Sequence, residues 1–168
     1  MSPSFVYVCD STSLIDLFQH FPVEFRGLKP HISNGVIKVP EGVFRELRRK
    51  TDKIRNSLEQ WEMEYQIVIH LKGDPRLLSE LARIEQSYGV KISVGDKQYA
   101  GFWKSPGDKK AADGQVVTIG KVRKYVVVSD DVAVGFACLQ ENVQCIGWAE
   151  FARRLRKGEL QGQKALDL

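Results

Sequence analysis

Two short stretches of the chain are apolar at every position: residues 5–9 (FVYVC) and 125–128 (YVVV). A strand with one face in water alternates apolar and polar side chains, whereas a strand covered on both faces does not. Both stretches are therefore typical of strands in the middle of a parallel sheet that carries helices on its two faces.

Weaker strand patterns alternate with helical patterns along the rest of the chain. Further strands are predicted at residues 36–39, 66–70 and 143–146. Apolar spacing and capping residues predict helices over 11–21, 41–65 with a break near Thr51 and Asp52, 75–88, 111–121, a short segment from 131, and 148–157. Residues 90–110 are predicted to form a hairpin or an ordered loop. We therefore predict an α/β fold, a three-layer α/β/α sandwich with a mostly parallel, Rossmann-like central sheet.

Length and composition limit the class of protein. A chain of 168 residues has the size of one domain, which we predict over residues 1–157, followed by a frayed C-terminal tail over 158–168. Lys and Arg total 25 against 21 Asp and Glu, and this net charge of +4 permits a polyanionic partner without requiring one. The N-terminal apolar stretch is too short for a membrane span or a signal peptide, and the three cysteines lack C-x-x-C spacing. We expect a cytoplasmic protein with no membrane association.

Acidic residues follow both apolar strands, and two more lie near helix starts. Asp10 follows the first strand, and Asp131 lies three residues after the second. Glu46 lies in the first turns of the helix after Pro40, and Asp113 lies in the opening of the helix that leads to the second strand. Ligands bind beyond the carboxyl ends of parallel strands, where these acids are expected to meet. Converging carboxylates repel one another unless a cation lies between them, and Mg²⁺ or Mn²⁺ would accept these oxygen ligands and activate a water for attack on a phosphodiester.

The acids lie within four motifs: VCDSTSLID at 8–16, VPEGVFREL at 39–47, AD at 112–113 and VVSDD at 127–131. In order and spacing, these motifs resemble those of the PIN-domain family, the metal-dependent nuclease fold of VapC-like toxins, over residues 5–156. The resemblance implies an endoribonuclease that is the toxin of a type II toxin–antitoxin pair, with an RNA substrate, an antitoxin partner and pairing as a homodimer. By position, it implies four catalytic and metal-binding acids, Asp10, Glu46, Asp113 and Asp131, and hydroxyl partners at Thr12 and Ser129.

Three further acids compete for or assist these roles. Asp131 is preferred to Asp130 because the family pattern is Ser or Thr, any residue, then the acid, and Asp130 is left as an assisting residue. Asp108, which follows a glycine, is the rival of Asp113, although the 18-residue step to Asp131 favours Asp113. Asp16 also matches a frequent family acid, and equally fits a polar position on the first helix.

Other functions are weighed against a nuclease. A non-catalytic PIN-like module that binds RNA or protein is the main alternative, and a Mg²⁺-dependent phosphatase is the remoter one, because Thr12 stands where that class needs a second Asp. The three histidines have no metal-ligand spacing, which argues against a zinc site. Aromatic and basic residues in 89–110 are interpreted first as packing against the domain or a dimer partner, and second as contacts for single-stranded RNA. The arginine-rich face of 45–55 is interpreted first as a solvated helix face, and second as a contact for RNA or an antitoxin.

Overall fold

The computed structural model describes residues 5–50, 52–89, 92–99 and 112–160. The strands are β1 (Tyr7–Cys9), β2 (Ile37–Pro40), β3 (Val68–Ile69), β4 (Ile92–Val94), β5 (Lys97–Tyr99), β6 (Val126–Val128) and β7 (Cys145–Ile146). The helices are α1 (Ser11–His20), α2 (Pro22–Arg26), α3 (Lys29–Ser33), α4 (Glu41–Lys50), α5 (Asp52–Tyr65), α6 (Pro75–Tyr88), α7 (Asp113–Arg123), α8 (Val132–Gln140) and α9 (Trp148–Lys157).

The main sheet has five parallel strands in the order β3-β2-β1-β6-β7. Its central strand β1 lies between β2 and β6, and its three residues are no more than 1% exposed. The three valines of β6 are at most 2% exposed. The two continuously apolar stretches are therefore central strands covered on both faces, as predicted.

Helices cover both faces of this sheet. On one face, α1 contacts α4 and α9, α2 contacts α9, and α3 contacts α5. On the other face, α7 packs against β1, β2 and β6 and is flanked by α6 and α8. This arrangement confirms the predicted three-layer α/β/α sandwich.

The structure differs from the predicted elements at several boundaries. Pro22 ends the first helical pattern as expected, but it also begins α2, because a proline is well accommodated in the first turn of a helix. Both α2 and α3 were missing from the prediction, since a five-residue helix shows too little periodicity to detect. The predicted strand 66–70 shortens to β3, since Gln66 has a positive φ of 54°.

The long helix predicted after Pro40 is divided into α4 and α5, in agreement with the expected break. Thr51 itself is outside the described residues. The hairpin prediction for residues 90–110 is confirmed for β4 and β5, which pair antiparallel. The rest of that segment, including Asp108, also lies outside the described residues.

The C-terminal end of the domain extends beyond residue 157. Leu160 is 2% exposed, and its backbone carbonyl accepts a hydrogen bond from the Tyr7 hydroxyl. The predicted frayed tail therefore does not begin at Gly158, because a buried leucine and a buried tyrosine hold this segment. Among the described residues, no helix has the length and hydropathy needed to cross a membrane.

Candidate active site

The register of the central strands brings the ends of β1 and β6 side by side. Cys9 pairs with Val128, and the backbone N–H of Asp10 donates to the carbonyl of Val128 over 3.1 Å. The next residues on the two strands, Asp10 and Ser129, therefore emerge together at the carboxyl edge of the sheet. This is the edge at which open parallel sheets bind ligands.

Asp10 is a buried carboxylate that also begins a helix. It is 5% exposed, and as the N-cap of α1 its Oδ1 accepts from the backbone N–H of Ser13 over 2.8 Å. Burial raises the pKa of Asp10, and hydrogen bonds from Ser129 and Ser13 partly oppose this effect. The nearby carboxylate of Asp131 raises the pKa further, which places Asp131 within electrostatic range of Asp10.

Asp131 has the same double role at the end of β6. It is the N-cap of α8, where its Oδ1 accepts from the backbone N–H of Val134 over 3.0 Å. Its own backbone N–H donates to the Oγ atom of Ser129 over 3.1 Å. The buried Ser129 hydroxyl also lowers the pKa of Asp10, so this serine lies beside both acids.

Glu46 joins the starts of two other helices. Its Oε2 accepts from the Oγ atom of Ser11 over 2.7 Å, and its Oε1 accepts from the backbone N–H of Ala112 over 3.3 Å. Ser11 is the first residue of α1, and Ala112 is the N-cap of α7. Glu46 is thereby held between the helix that follows Asp10 and the helix that begins with Asp113.

Asp113 is the acid most affected by the others. Burial raises the pKa of Asp113 to about 7, and the carboxylates of Asp131, Asp10 and Glu46 contribute in that order. No residue in the described part of the chain donates a hydrogen bond to its carboxylate or forms an ion pair with it. The four acids singled out from the sequence thus act on one another electrostatically in the folded chain.

The donor chemistry of this cluster fits a hydrated divalent cation. Within the described ranges, no group of three or more His, Cys, Asp or Glu side chains stands in an arrangement that could hold a metal ion directly. Mg²⁺ does not need such a cage, since it keeps several waters and is commonly held by one or two carboxylates together with substrate phosphates. Hard oxygen ligands around a site of excess negative charge match that mode of binding.

The other predicted residues have varied surroundings. Asp130 is exposed and its Oδ2 accepts from the backbone N–H of Trp148 over 2.9 Å, which caps α9. Thr12 is exposed, and among the described residues nothing hydrogen-bonds its side chain. Asp16 lies half-buried in α1. Ser11 was not assigned to the site from the sequence, although it directly follows Asp10 in the first motif.

Comparison with known proteins gives structural matches alone. No family model and no curated protein sequence matches the chain. The structure is similar to PAE2754 from Pyrobaculum aerophilum, with a TM-score of 0.50, 14% identity, and coverage of 92% of this chain and 99% of that chain. It is also similar to VapBC2 from Rickettsia felis bound to a DNA fragment from their promoter (TM-score 0.52, 10% identity, coverage of 86% and 99%). FitAcB from Neisseria gonorrhoeae matches with a TM-score of 0.51, 14% identity, and coverage of 86% and 99%.

The chain has a PIN-domain fold. The matches cover nearly the whole length of the similar chains, and they confirm the fold that the four sequence motifs indicated. At 10–15% identity they establish the fold alone. In this PIN-domain fold, the carboxyl edge of the sheet carries Asp10, Glu46, Asp113 and Asp131.

Proposed function

We propose that this PIN-domain protein is a Mg²⁺- or Mn²⁺-dependent endoribonuclease that acts in the cytoplasm. One observation carries the proposal: Asp113 is buried beside three other acids from different elements, and burial together with the charges of Asp131, Asp10 and Glu46 raises its pKa to about 7. Such a cluster opposes folding in the absence of a cation, and a structural role offers no compensation for that cost. A divalent cation would remove the repulsion and bring the electrophilic chemistry that phosphodiester hydrolysis needs.

The hydrogen bonds around each acid support a separate proposed role for it. Asp10, Asp113 and Asp131 are the acids proposed to surround a hydrated metal ion, with one or two of them as direct ligands and the rest acting through its waters. Both oxygens of Glu46 already accept hydrogen bonds, from Ser11 and Ala112. Glu46 is therefore proposed to contact a metal-bound water, or to complete the ring of four acids around the ion. When bound, the cation would polarise a phosphate oxygen and lower the pKa of a water ligand. Ser129 keeps Asp10 and Asp131 in a fixed relation to each other.

We further propose that the nuclease is the toxin of a toxin–antitoxin pair and that it binds a cognate antitoxin protein and pairs as a homodimer. The support is the motif resemblance to VapC-like toxins, together with structural matches to assemblies titled VapBC2 and FitAcB. Expression of wild-type protein in a bacterial host should arrest growth, whereas Asp10→Asn should not. Equal growth of the two strains, at equal protein levels, would remove the toxin role and leave the nuclease to be tested by itself.

The direct test is cleavage of a mixed pool of structured and single-stranded RNA in the presence of Mg²⁺ or Mn²⁺. Asparagine is as good an N-cap as aspartate, so Asp10→Asn should fold normally and lose activity by more than about 100-fold. EDTA should abolish cutting by the wild type. Glu64→Gln is the matched control, because it removes one exposed carboxylate from α5, just before β3 and so at the opposite edge of the sheet. Identical behaviour of wild type and Asp10→Asn would instead favour a module that binds RNA or protein without cutting.

A further inference from the structure

We infer that a cluster of arginines at the corner between α4 and α5 binds the phosphodiester backbone of the RNA substrate beside the acidic site. This inference rests on the proposed nuclease function and adds the surface that holds the strand. The surface, called here the arginine groove, is a cavity of about 270 Å³ lined by Arg45, Arg48, Arg49, Arg55 and Glu59. All four arginines are exposed.

The groove carries uncompensated positive charge. Among the described residues, Glu59 is the one acid that lines the groove; it accepts from the Nε atom of Arg48 over 3.1 Å and lies 3.9 Å from the Nε atom of Arg55. Arg45 and Arg49 form no ion pair with any residue that the structure describes. Four guanidinium groups therefore share one carboxylate, and two of them are available to an external anion.

Helix geometry places this charge next to the acids. Each residue of an α-helix advances by about 100° around its axis, so Arg49, Arg45 and Arg48 follow Glu46 at about 60°, 100° and 160° on the same side of α4. The buried Val43 and Leu47 lie on the other side of Glu46. Glu46 thus marks the border of α4 at which the acidic site ends and the arginine groove begins.

This juxtaposition identifies the occupant. A cluster of four carboxylates repels a nucleic acid, so a nuclease needs positive charge close by to hold the strand in place. Guanidinium groups bind phosphate oxygens in pairs of parallel hydrogen bonds, and arginine serves this purpose better than lysine does. A strand whose phosphates occupy the groove has its next phosphates at the acids. An acidic protein segment would match the groove but has no reason to lie beside a cluster of carboxylates.

The test measures RNA binding without cleavage. A fluorescein-labelled uridine RNA of about 20 nucleotides, long enough to span more than one binding site, is titrated with the protein in EDTA at several KCl concentrations, and binding is followed by anisotropy. Arg45→Ala/Arg49→Ala should weaken binding by about tenfold or more. It should also reduce the slope of log affinity against log salt by about 1.4, because each phosphate contact on a single strand contributes about 0.7.

Two further variants define the controls. Arg26→Ala/Arg76→Ala removes two exposed arginines from α2 and α6 and should leave RNA binding unchanged within about twofold, because long-range charge effects are screened by salt. Arg45→Lys/Arg49→Lys keeps the charge and should retain most of the salt dependence with lower affinity. Thermal unfolding of all variants checks that they fold.

The outcomes separate the groove from the nuclease. If Arg45→Ala/Arg49→Ala binds RNA with the same affinity as the Arg26→Ala/Arg76→Ala control, the proposed role of the groove is overturned. The groove is also overturned as an RNA site if Arg45→Ala/Arg49→Ala loses binding of labelled polyglutamate but still binds RNA. The occupant would then be an acidic protein. In metal-dependent cleavage, the groove variant should raise KM and leave kcat nearly unchanged. Identical behaviour of wild type and Asp10→Asn in the cleavage test, with RNA binding still dependent on Arg45 and Arg49, would remove the proposed nuclease activity and keep the groove.

Discussion

The Oγ atom of Ser11 donates a hydrogen bond to the Oε2 atom of Glu46 over 2.7 Å, so the first residue of α1 orients an acid in α4. Ser11→Ala removes this donor and should lower metal-dependent cleavage by about 10- to 100-fold, the usual effect of losing a contact that orients a ligand. The free energy of unfolding should fall by about 1 kcal/mol. Thr12→Ala, which changes the neighbouring exposed hydroxyl, should have a much smaller effect on activity. A reversed order of the two variants would contradict the role of Ser11.

The stability of the metal-free protein should fall as pH rises, because of Asp113. The pKa of Asp113 is raised from 3.8 to about 7, so between these values the folded protein keeps a proton that the unfolded chain releases. Folding is therefore opposed increasingly from about pH 4 to pH 7, and the full cost, roughly 4 kcal/mol, is present above pH 7. Asp113→Asn in EDTA should exceed the wild type in free energy of unfolding at pH 8 and match it near pH 4. Urea unfolding at a series of pH values measures the difference in free energy of unfolding between the variant and the wild type. A difference that stays constant with pH would contradict this role of Asp113.

Metal binding should narrow this difference in stability between wild type and Asp113→Asn. Mg²⁺ at 100 times its dissociation constant adds about 2.7 kcal/mol to the stability of a protein that binds it only when folded. Wild type at pH 8 should show this gain, and EDTA should remove it. Asp113→Asn should gain little from Mg²⁺, although it is the more stable protein without metal. Thermal unfolding with and without Mg²⁺ gives the comparison, with Glu64→Gln as a carboxylate control that should respond like wild type.

Substitution of the two adjacent acids after β6 should have opposite effects: one change should lower activity and the other should lower stability. Asp131→Asn keeps an acceptor for the backbone N–H of Val134 and should therefore keep stability and lose activity. Asp130→Ala removes the acceptor for the backbone N–H of Trp148 and should cost about 1 kcal/mol of stability while leaving cleavage largely intact. Paired measurements of unfolding and cleavage test this division. Loss of activity in Asp130→Ala comparable to that in Asp131→Asn would assign both acids to the reaction.

Glu141 should stabilise the fold without affecting the site. The side chain of Glu141 is 8% exposed. Hydrogen bonds from Arg83, Lys121 and Tyr88 lower the pKa of its carboxyl to about 2. This depressed pKa stabilises the fold above about pH 4.5, and the contribution is lost as pH falls toward 2. Glu141→Gln should therefore cost about 2 kcal/mol at pH 7, with the difference vanishing near pH 2. Glu159→Gln, which affects a more exposed ion pair with Arg153, should cost less than about 1 kcal/mol.

Much of the fold could be predicted because the central strands are apolar at every position. The continuous pattern in β1 and β6 specifies burial on both faces, and a parallel sheet places Asp10 and Asp131 at one edge. The bounds of β3 and the existence of α2 and α3 could not be predicted, because elements of two to five residues are determined by their packing. Leu160 was assigned to a frayed tail for the same reason, since its contact partner Tyr7 lies at the other end of the chain.

The proximity of the four acids could be predicted, but the contacts that orient them could not. Each acid follows a strand or starts near a helix, and such positions are visible in the sequence. The hydrogen bond from Ser11 to Glu46 joins residues 35 positions apart, and no local pattern distinguishes Ser11 from Thr12. The charge of the arginine groove was visible in the sequence, but its position beside Glu46 depends on where α4 begins and on which of its faces is buried.

Helix capping at the site has a consequence for the choice of ion. Asp10 and Asp131 each use Oδ1 to accept a backbone N–H, so a cation bound by both oxygens of either carboxylate would share Oδ1 with the helix cap. Ca²⁺ often uses such two-oxygen contacts and tolerates irregular coordination, whereas Mg²⁺ accepts single oxygens in a strict octahedron filled out by water. If the site holds a metal as proposed, the two caps would favour small, strongly hydrated ions, because each aspartate keeps one oxygen that no cap uses.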